Sequence, residues 1–506
     1  MSTFSKIGFI MATLGSSIGL GHIWRFPTMA GQNGGAVFIL LFVFISVAIG
    51  VSMLIAEMLM GNRTHKNAQD AFYELDESAH KRWHYAGLTV IGGPLILTFY
   101  CIVLGWVCYY LAVISTSLPA TMAESKALFD MLKQDFWAQI LSFGVVIALT
   151  AYFVAKGVKN GIEKLNFVLM PLLFVVFIGL LIYAMTLSGF SKSANFMFVS
   201  GFEFSGVEGK GFVESTKELL GYLLAKITPK TLIDSMGQVF FSLSLGVGIV
   251  ITYAAFTEKN QNLFHAALWV LIPGIVISII AGLTIFTFVF EYGSAGDVGE
   301  GDGLVFITLP VMFEKMGVLG SVICILFMIG LGFAGLSSTI SLLEPPVKWL
   351  EDKTGKSRAF LSWGLSGLIF IVGAVLIFSL NTNHSELTFG DKTLFEWVNW
   401  LSANIIMTLG GIATSIFVGY AIKKEHLREW TKGYLSPAMF GFWLFAIRIL
   451  APLMVGAIFV YQIVSLDSKK VEESKHTSRV KESQLLDSLA KVTVGAEWDK
   501  TGIWYK

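Results

Sequence analysis

Apolar residues in this chain come in runs of about twenty, the length that crosses a bilayer as a helix, separated by shorter polar stretches. Eleven such runs are read, at roughly 7–29, 35–60, 90–118, 138–155, 164–186, 235–256, 265–290, 318–346, 359–381, 395–421 and 438–465. Beyond them, 466–506 is a polar tail with eight Lys and Arg, in which "SQLLDSLAKV" has the pattern of a short amphipathic helix. The pattern predicts an all-α integral membrane protein of about eleven transmembrane helices.

Two runs carry residues that weaken a helix in lipid. The first contains "GSSIGLGHIWRFP", Gly15 to Pro27, with three glycines, His22 and Arg25. The sixth contains "GQVFFSLSLGVG", Gly237 to Gly248, with Gln238, Ser242, Ser244, Gly246 and Gly248. Interrupting a helix frees N–H and C=O groups that lipid cannot satisfy, so a break persists where something polar fills it. N–H groups opening a half-helix suit a carboxylate, and C=O groups closing one suit a cation. A zwitterionic amino acid with a sodium ion meets both needs. The two segments lie five spans apart and cross in opposite directions. Paired interruptions in two inverted halves point to a transport site at mid-membrane. Gly15 and Gly19 alone would also suit small-xxx-small packing, and a lone serine can bond back to its own helix. A third polar cluster, "FAGLSSTISLLEPP", Phe333 to Pro346, places Ser337 and Ser338 side by side. Hydroxyl and carbonyl oxygens are the ligands a hard cation prefers.

Composition agrees with a lipid-bilayer protein. Of 506 residues, 55% are hydrophobic and 14% charged, too apolar for a soluble chain of this size. The net charge of +1 gives no sign of a nucleic-acid partner. Cys101, Cys108 and Cys324 lie inside apolar runs and read as buried hydrophobes. The first run exceeds signal length without an A-x-A site, so no cleavable signal is expected. Lys and Arg cluster in alternate loops, among them Arg63, Lys66, Lys156, Lys259, Lys353 and Lys424. That bias places the N-terminus in the cytoplasm and the chain in the plasma (inner) membrane. An odd helix count then exports the basic tail, against the same rule. No P-loop and no HExxH is present, so the chain is not expected to be an enzyme. A haem protein would need paired intramembrane histidines, and only His22 lies deep in a span. A transporter-like sensor that binds an amino acid without moving it is the remaining alternative.

Together these stretches resemble the neurotransmitter:sodium symporter family, in particular its bacterial amino-acid transporters, from about Ser5 to Ser465. "GLGHIWRFP" followed by "NGGAVF" is similar to the family's first two helices, and "FYCIVLGW", Phe99 to Trp106, to its third. "GIEKLNFVLMP", with Gly161 ten residues before Pro171, resembles the start of the fifth; "GQVFFSLSLG" and "FAGLSS" resemble the sixth and eighth. The resemblance implies two inverted five-helix repeats, with helices one and six unwound at the centre. Residues 1–186 would form the first repeat, 187–234 an extracellular loop, 235–421 the second repeat, 438–465 helix eleven and 466–506 the tail.

The resemblance also implies a site. Backbone of Gly19, Leu20 and Gly21 and the Tyr100 hydroxyl would hold the substrate carboxylate. Tyr100 and Phe241 would close over it, with Ser242, Ser244 and Ser338 near its polar end. Ile96, Val247 and Leu342 would line a pocket for a neutral, apolar side chain, and Val247 stands where relatives carry something bulkier. One sodium site carries over, with carbonyls of Gly15, Ile18 and Ala334 and hydroxyls of Ser337 and Ser338. Gly161 and Pro171 would let helix five unwind and admit water to it. The second sodium site does not carry over: its asparagine is His22, and its helix-seven oxygen ligand aligns with Gly274. His22 could replace that ion, bringing proton coupling. The chloride site is incomplete, with Gln238, Ser242 and Ser278 present but Phe42 for the usual tyrosine. Arg25 keeps the outer gate arginine, facing Asn399 with Glu396 one turn away. Inside, Glu344 and Asp352 remain without the usual arginine and tryptophan, which leaves Lys6 or packing to close the inner gate.

Overall fold

The computed structural model describes residues 3–114, 117–199, 221, 225–293, 303–380, 387–389 and 392–464. Among them, nine helices are long and apolar enough to span a bilayer. Lys6–Ser17 with Gly21–Gln32, bent by 50°, makes a further, broken span at the start of the chain. Pro229–Ser242 with Ile249–Ala254 is the sixth segment in chain order, broken in the same way. The full series is completed by Ala36–Thr64, Arg82–Ile114, Phe136–Ala155, Val158–Ala184, Leu263–Tyr292, Val318–Thr354, Arg358–Ser379, Leu394–Ala421 and Pro437–Val464. The chain is an all-α, multi-pass membrane protein. A two-stranded ribbon, Thr388–Phe389 with Lys392–Thr393, precedes the tenth span. Residues from Ala457 onward form a second unit, of which 457–464 is helical. The tail 466–506, and residues 200–220 and 222–224 of the 187–234 loop, lie outside the described residues.

Burial separates lining from wall. The second and third spans are 78% and 83% buried over their apolar stretch, the fifth and ninth only 33% and 39%. Outward Phe44, Val175 and Ile371 are the apolar surface a bilayer would cover.

Both breaks have local causes. In the first span Ser5 caps the helix, its Oγ accepting the Gly8 N–H at 2.9 Å. The regular ladder ends where the Ile18 N–H donates to the Leu14 carbonyl at 2.7 Å; Ile18 itself is extended, φ −76°, ψ 94°. In the sixth span the chain turns left-handed at Ser244 (φ 53°), Gly246 (φ 85°) and Gly248 (φ 76°). For a serine that geometry is unfavourable by roughly 1–2 kcal/mol. It is offset by Ser244 Oγ, which donates to the Ser16 carbonyl at 2.9 Å.

The eighth span runs to Thr354, past the expected end at Pro346. Two prolines remove two N–H donors and so leave the Ser341 and Leu342 carbonyls without their usual partners. Gly93 of the third span, having no side chain, lies directly against the Leu342 carbonyl, and the helix continues.

Candidate functional site

The two breaks are tied to each other through polar groups. Ser17 Oγ donates to the Ser242 carbonyl at 2.8 Å. Gln238 Nε2 donates to the Gly21 carbonyl at 2.7 Å and to Ser242 Oγ at 2.9 Å. From the second span the buried carboxylate of Glu57 accepts the Gly246 N–H at 2.8 Å. The Ser242 carbonyl and the Gly246 N–H, both at the break of the sixth span, are satisfied in this way, which is what permits irregular backbone at this depth.

Between the breaks lies a cavity of about 40 Å³, lined by Gly19, Gly21, Ile96, Tyr100, Phe241, Ser244, Val247, Ser338 and Leu342. All were expected at the substrate. Ser16, Ser17 and Met407 complete the lining, and of these Ser16 and Met407 were not singled out from the sequence. Met407 reads there as an ordinary packing residue of the tenth span. Of the other expected residues, Leu20 lines the larger cavity outside, whereas Ser242 and His22 lie behind the wall. Tyr100 OH accepts the Leu20 N–H at 3.1 Å. A Cβ on Gly19 would collide with Ser338 Oγ and Tyr100 OH, and one on Gly21 would sit 2.7 Å from the Phe241 ring. Both glycines are therefore required by close approach.

Tyr100 and Phe241 also line the outer cavity, about 370 Å³, and so form the partition between the two spaces. Arg25 lies over the Phe241 ring, its guanidinium carbon 4.7 Å from the centroid. Asn399 and Glu396 share that outer cavity. No hydrogen bond joins them to Arg25 among the described residues. Glu396 instead caps its own helix, taking the Thr393 N–H at 2.8 Å, and Asp234 supplies the charge opposing Arg25.

The opposite side is sealed by packing. Phe4 is buried against Tyr253, with ring centroids 5.6 Å apart, and against Phe256; its N–H donates to the Phe256 carbonyl at 3.0 Å. Tyr253 OH bonds Ser341 Oγ at 2.9 Å. Lys6, one of two expected supports, is exposed. Glu344 pairs with Arg358 of the ninth span, and Asp352 with Lys348 at 2.6 Å and Asn67 at 2.9 Å. Phe4 and Arg358 were missed from sequence, since their partners lie far along the chain. Glu57 left a readable signal: it is the sole acidic residue within its apolar run.

The expected sodium ligands lie where the first and eighth spans meet. Ser337 Oγ and the Ala334 carbonyl are 2.9 Å apart, close enough for one cation to touch both. Ser338 Oγ is buried, makes no well-formed hydrogen bond among the described residues, and abuts Gly19. An all-neutral set of carbonyls and hydroxyls fits a hard monovalent cation. Among the described residues no cluster of three or more His, Cys, Asp or Glu could hold a metal of another kind.

Two broken spans enclosing a small cavity, with a larger cavity on one side and a packed seal on the other, define a membrane transporter. The model of the sodium:neurotransmitter symporter family matches residues 2–130 and 122–481. YhdH of Bacillus subtilis, an uncharacterised sodium-dependent transporter, is 33% identical over 461 residues, covering 90% of this chain and 96% of its own length. The sodium-dependent serotonin transporter of Drosophila melanogaster is 25% identical over 501 residues, covering 92% and 77%. Among solved structures, that of MhsT in complex with L-phenylalanine superposes with a TM-score of 0.78 at 32% identity, covering 91% of this chain and 99% of that one. The chain belongs to the sodium:neurotransmitter symporter family. It is a sodium-dependent transporter, not an enzyme.

Proposed function

We propose that the protein carries a neutral, apolar L-amino acid together with one sodium ion across the plasma (inner) membrane by alternating access. The cavity between the breaks supports this most directly, because its lining is mixed in chemistry. Gly19, Gly21 and Tyr100 line it together with aliphatic Ile96, Val247 and Leu342. Backbone at a helix break and a phenol suit a carboxylate, and the aliphatic residues suit an apolar side chain. The L-phenylalanine bound to MhsT favours a large side chain, and the cavity of about 40 Å³ would have to widen to admit one. The arrangement corresponds to an outward-facing state: the N-terminus is cytoplasmic, Phe4 closes the inside, and Arg25 and Phe241 border the outer cavity. Residues 1–186 and 235–421 act as the two inverted repeats. Uptake into proteoliposomes under a sodium gradient, after a thermal-shift screen of the twenty amino acids, tests the reading. Binding without accumulation would make the protein a sensor.

Sodium stoichiometry follows from His22. Its buried ring lies against Gly274, where a Cβ would sit 2.9 Å from Nε2. The imidazole thus occupies the space beside Gly274, where relatives place an oxygen ligand of the second ion. Sodium activation of binding is expected to follow a Hill slope near one. A slope near two would refute the substitution. Uptake at fixed sodium under an imposed pH gradient then reads the ring's charge. A response lost in His22→Gln marks it as proton-carrying, and equal responses mark it as neutral filler.

A further inference from the structure

Asn166 lies on the fifth span, inside the segment from Gly161 to Pro171. Its side chain is fully buried. Nδ2 donates to the Ile162 carbonyl at 2.9 Å, which fixes the direction of the amide. Oδ1 is buried and has no hydrogen-bond partner among the described residues. An amide oxygen left so bears its desolvation uncompensated. That oxygen lies directly against Gly15 of the first span, close enough that any Cβ there would collide with it. Gly15 is an expected sodium ligand through its carbonyl. The fifth span packs against both the first and the eighth, the two elements that hold the proposed ion.

We propose that the Asn166 amide oxygen is a further ligand of the sodium ion, added by the fifth span to the oxygens of Gly15, Ile18, Ala334, Ser337 and Ser338. The inference rests on the sodium site proposed above and extends it. It accounts for three observations together: the unpartnered oxygen, the side chain pinned by Nδ2 so that Oδ1 faces the first span, and a glycine where the two touch. It also gives the ion a hold on the fifth span. Asn166 is fastened to Ile162, within the π-helical turn Val158–Glu163 that begins that span. Bound sodium would then keep this turn wound, and its departure would release the turn along with the first span.

The test uses the full-length protein without substrate. Its thermal midpoint is titrated with sodium chloride against choline chloride at constant ionic strength, and again with lithium chloride. Asn166→Leu keeps the branched shape and removes the oxygen. It is expected to raise the half-saturating sodium concentration about tenfold, in line with a lost bond to a charged group. Asn166→Asp keeps the oxygen and adds charge, and should lower it. Both changes should alter the preference of sodium over lithium. A packing role would instead lower the midpoint without sodium and leave half-saturation and ion preference unchanged, which overturns the proposal. If Asn166→Leu does not fold, Asn166→Asp and Asn166→Ser decide the matter by the same readings. Should Ser337→Ala/Ser338→Ala lose the response while the Asn166 variants titrate like wild type, Asn166 falls and the cage stands. Should wild type show no response to sodium, both fall.

Discussion

Replacing Ser337 and Ser338 together by alanine is expected to abolish sodium-stimulated binding and uptake. Among the described residues Ser337 Oγ bonds only the Ala334 carbonyl, one turn back on its own helix, and Ser338 Oγ, beside the Tyr100 hydroxyl, makes no well-formed hydrogen bond. Removing either hydroxyl therefore costs the fold little, since such back-bonds add little to helix stability. To the ion they are two of the few oxygens available, and carbonyls alone would have to replace them. The measurement is the sodium dependence of thermal midpoint and of proteoliposome uptake. A double variant that still responds fully would place the ion elsewhere. The stakes can be sized. One sodium moving down a tenfold gradient and ~100 mV supplies about 3.7 kcal/mol, enough for roughly 500-fold accumulation of a neutral substrate. If His22 takes the place of a second ion, as proposed above, no further factor multiplies that figure.

Tyr100→Phe should weaken substrate binding by roughly 1.5–3 kcal/mol, about tenfold to a hundredfold. The phenolic oxygen already accepts the Leu20 N–H, so its own hydrogen remains to be donated. The phenol lines both cavities, and a substrate carboxylate between them is the acceptor the site calls for. Isothermal titration of an amino acid and of its decarboxylated amine separates this from packing. The amino acid should lose affinity in the variant, and the amine should bind poorly to both proteins. Equal binding of amino acid and amine by wild type would remove the carboxylate contact from the scheme.

What could be read from sequence depended on whether a residue broke the local rule for its surroundings. Gly19, Gly21, Ser244 and Gly246 stood out because lipid-facing helices have no use for them, and all are found at the breaks. Ser337 and Ser338 stood out as adjacent hydroxyls, and the Tyr100–Phe241 partition through the family motifs. Phe4 could not stand out, because a phenylalanine near a span end is ordinary; its meaning comes from Tyr253 and Phe256, some 250 residues on. Arg358 looked like a loop cation until the ninth span brought it to Glu344. The eighth span was read to end near Pro346 with its apolar run, and its helix continues to Thr354 with Pro345 and Pro346 inside it.

One contact bears on how such a protein could be watched. Gly246, at the break of the sixth span, and Gly410 of the tenth meet backbone to backbone, with no side chain between them. Close packing at that range means that a shift of one segment is felt by the other. The neighbouring Leu409 faces outward, 45% exposed. A spin label or fluorophore there would stand clear of the cavity yet ride with the break. Its distance to a second probe on the wall-forming ninth span should change when substrate binds, turning a buried rearrangement into a signal legible from the lipid side.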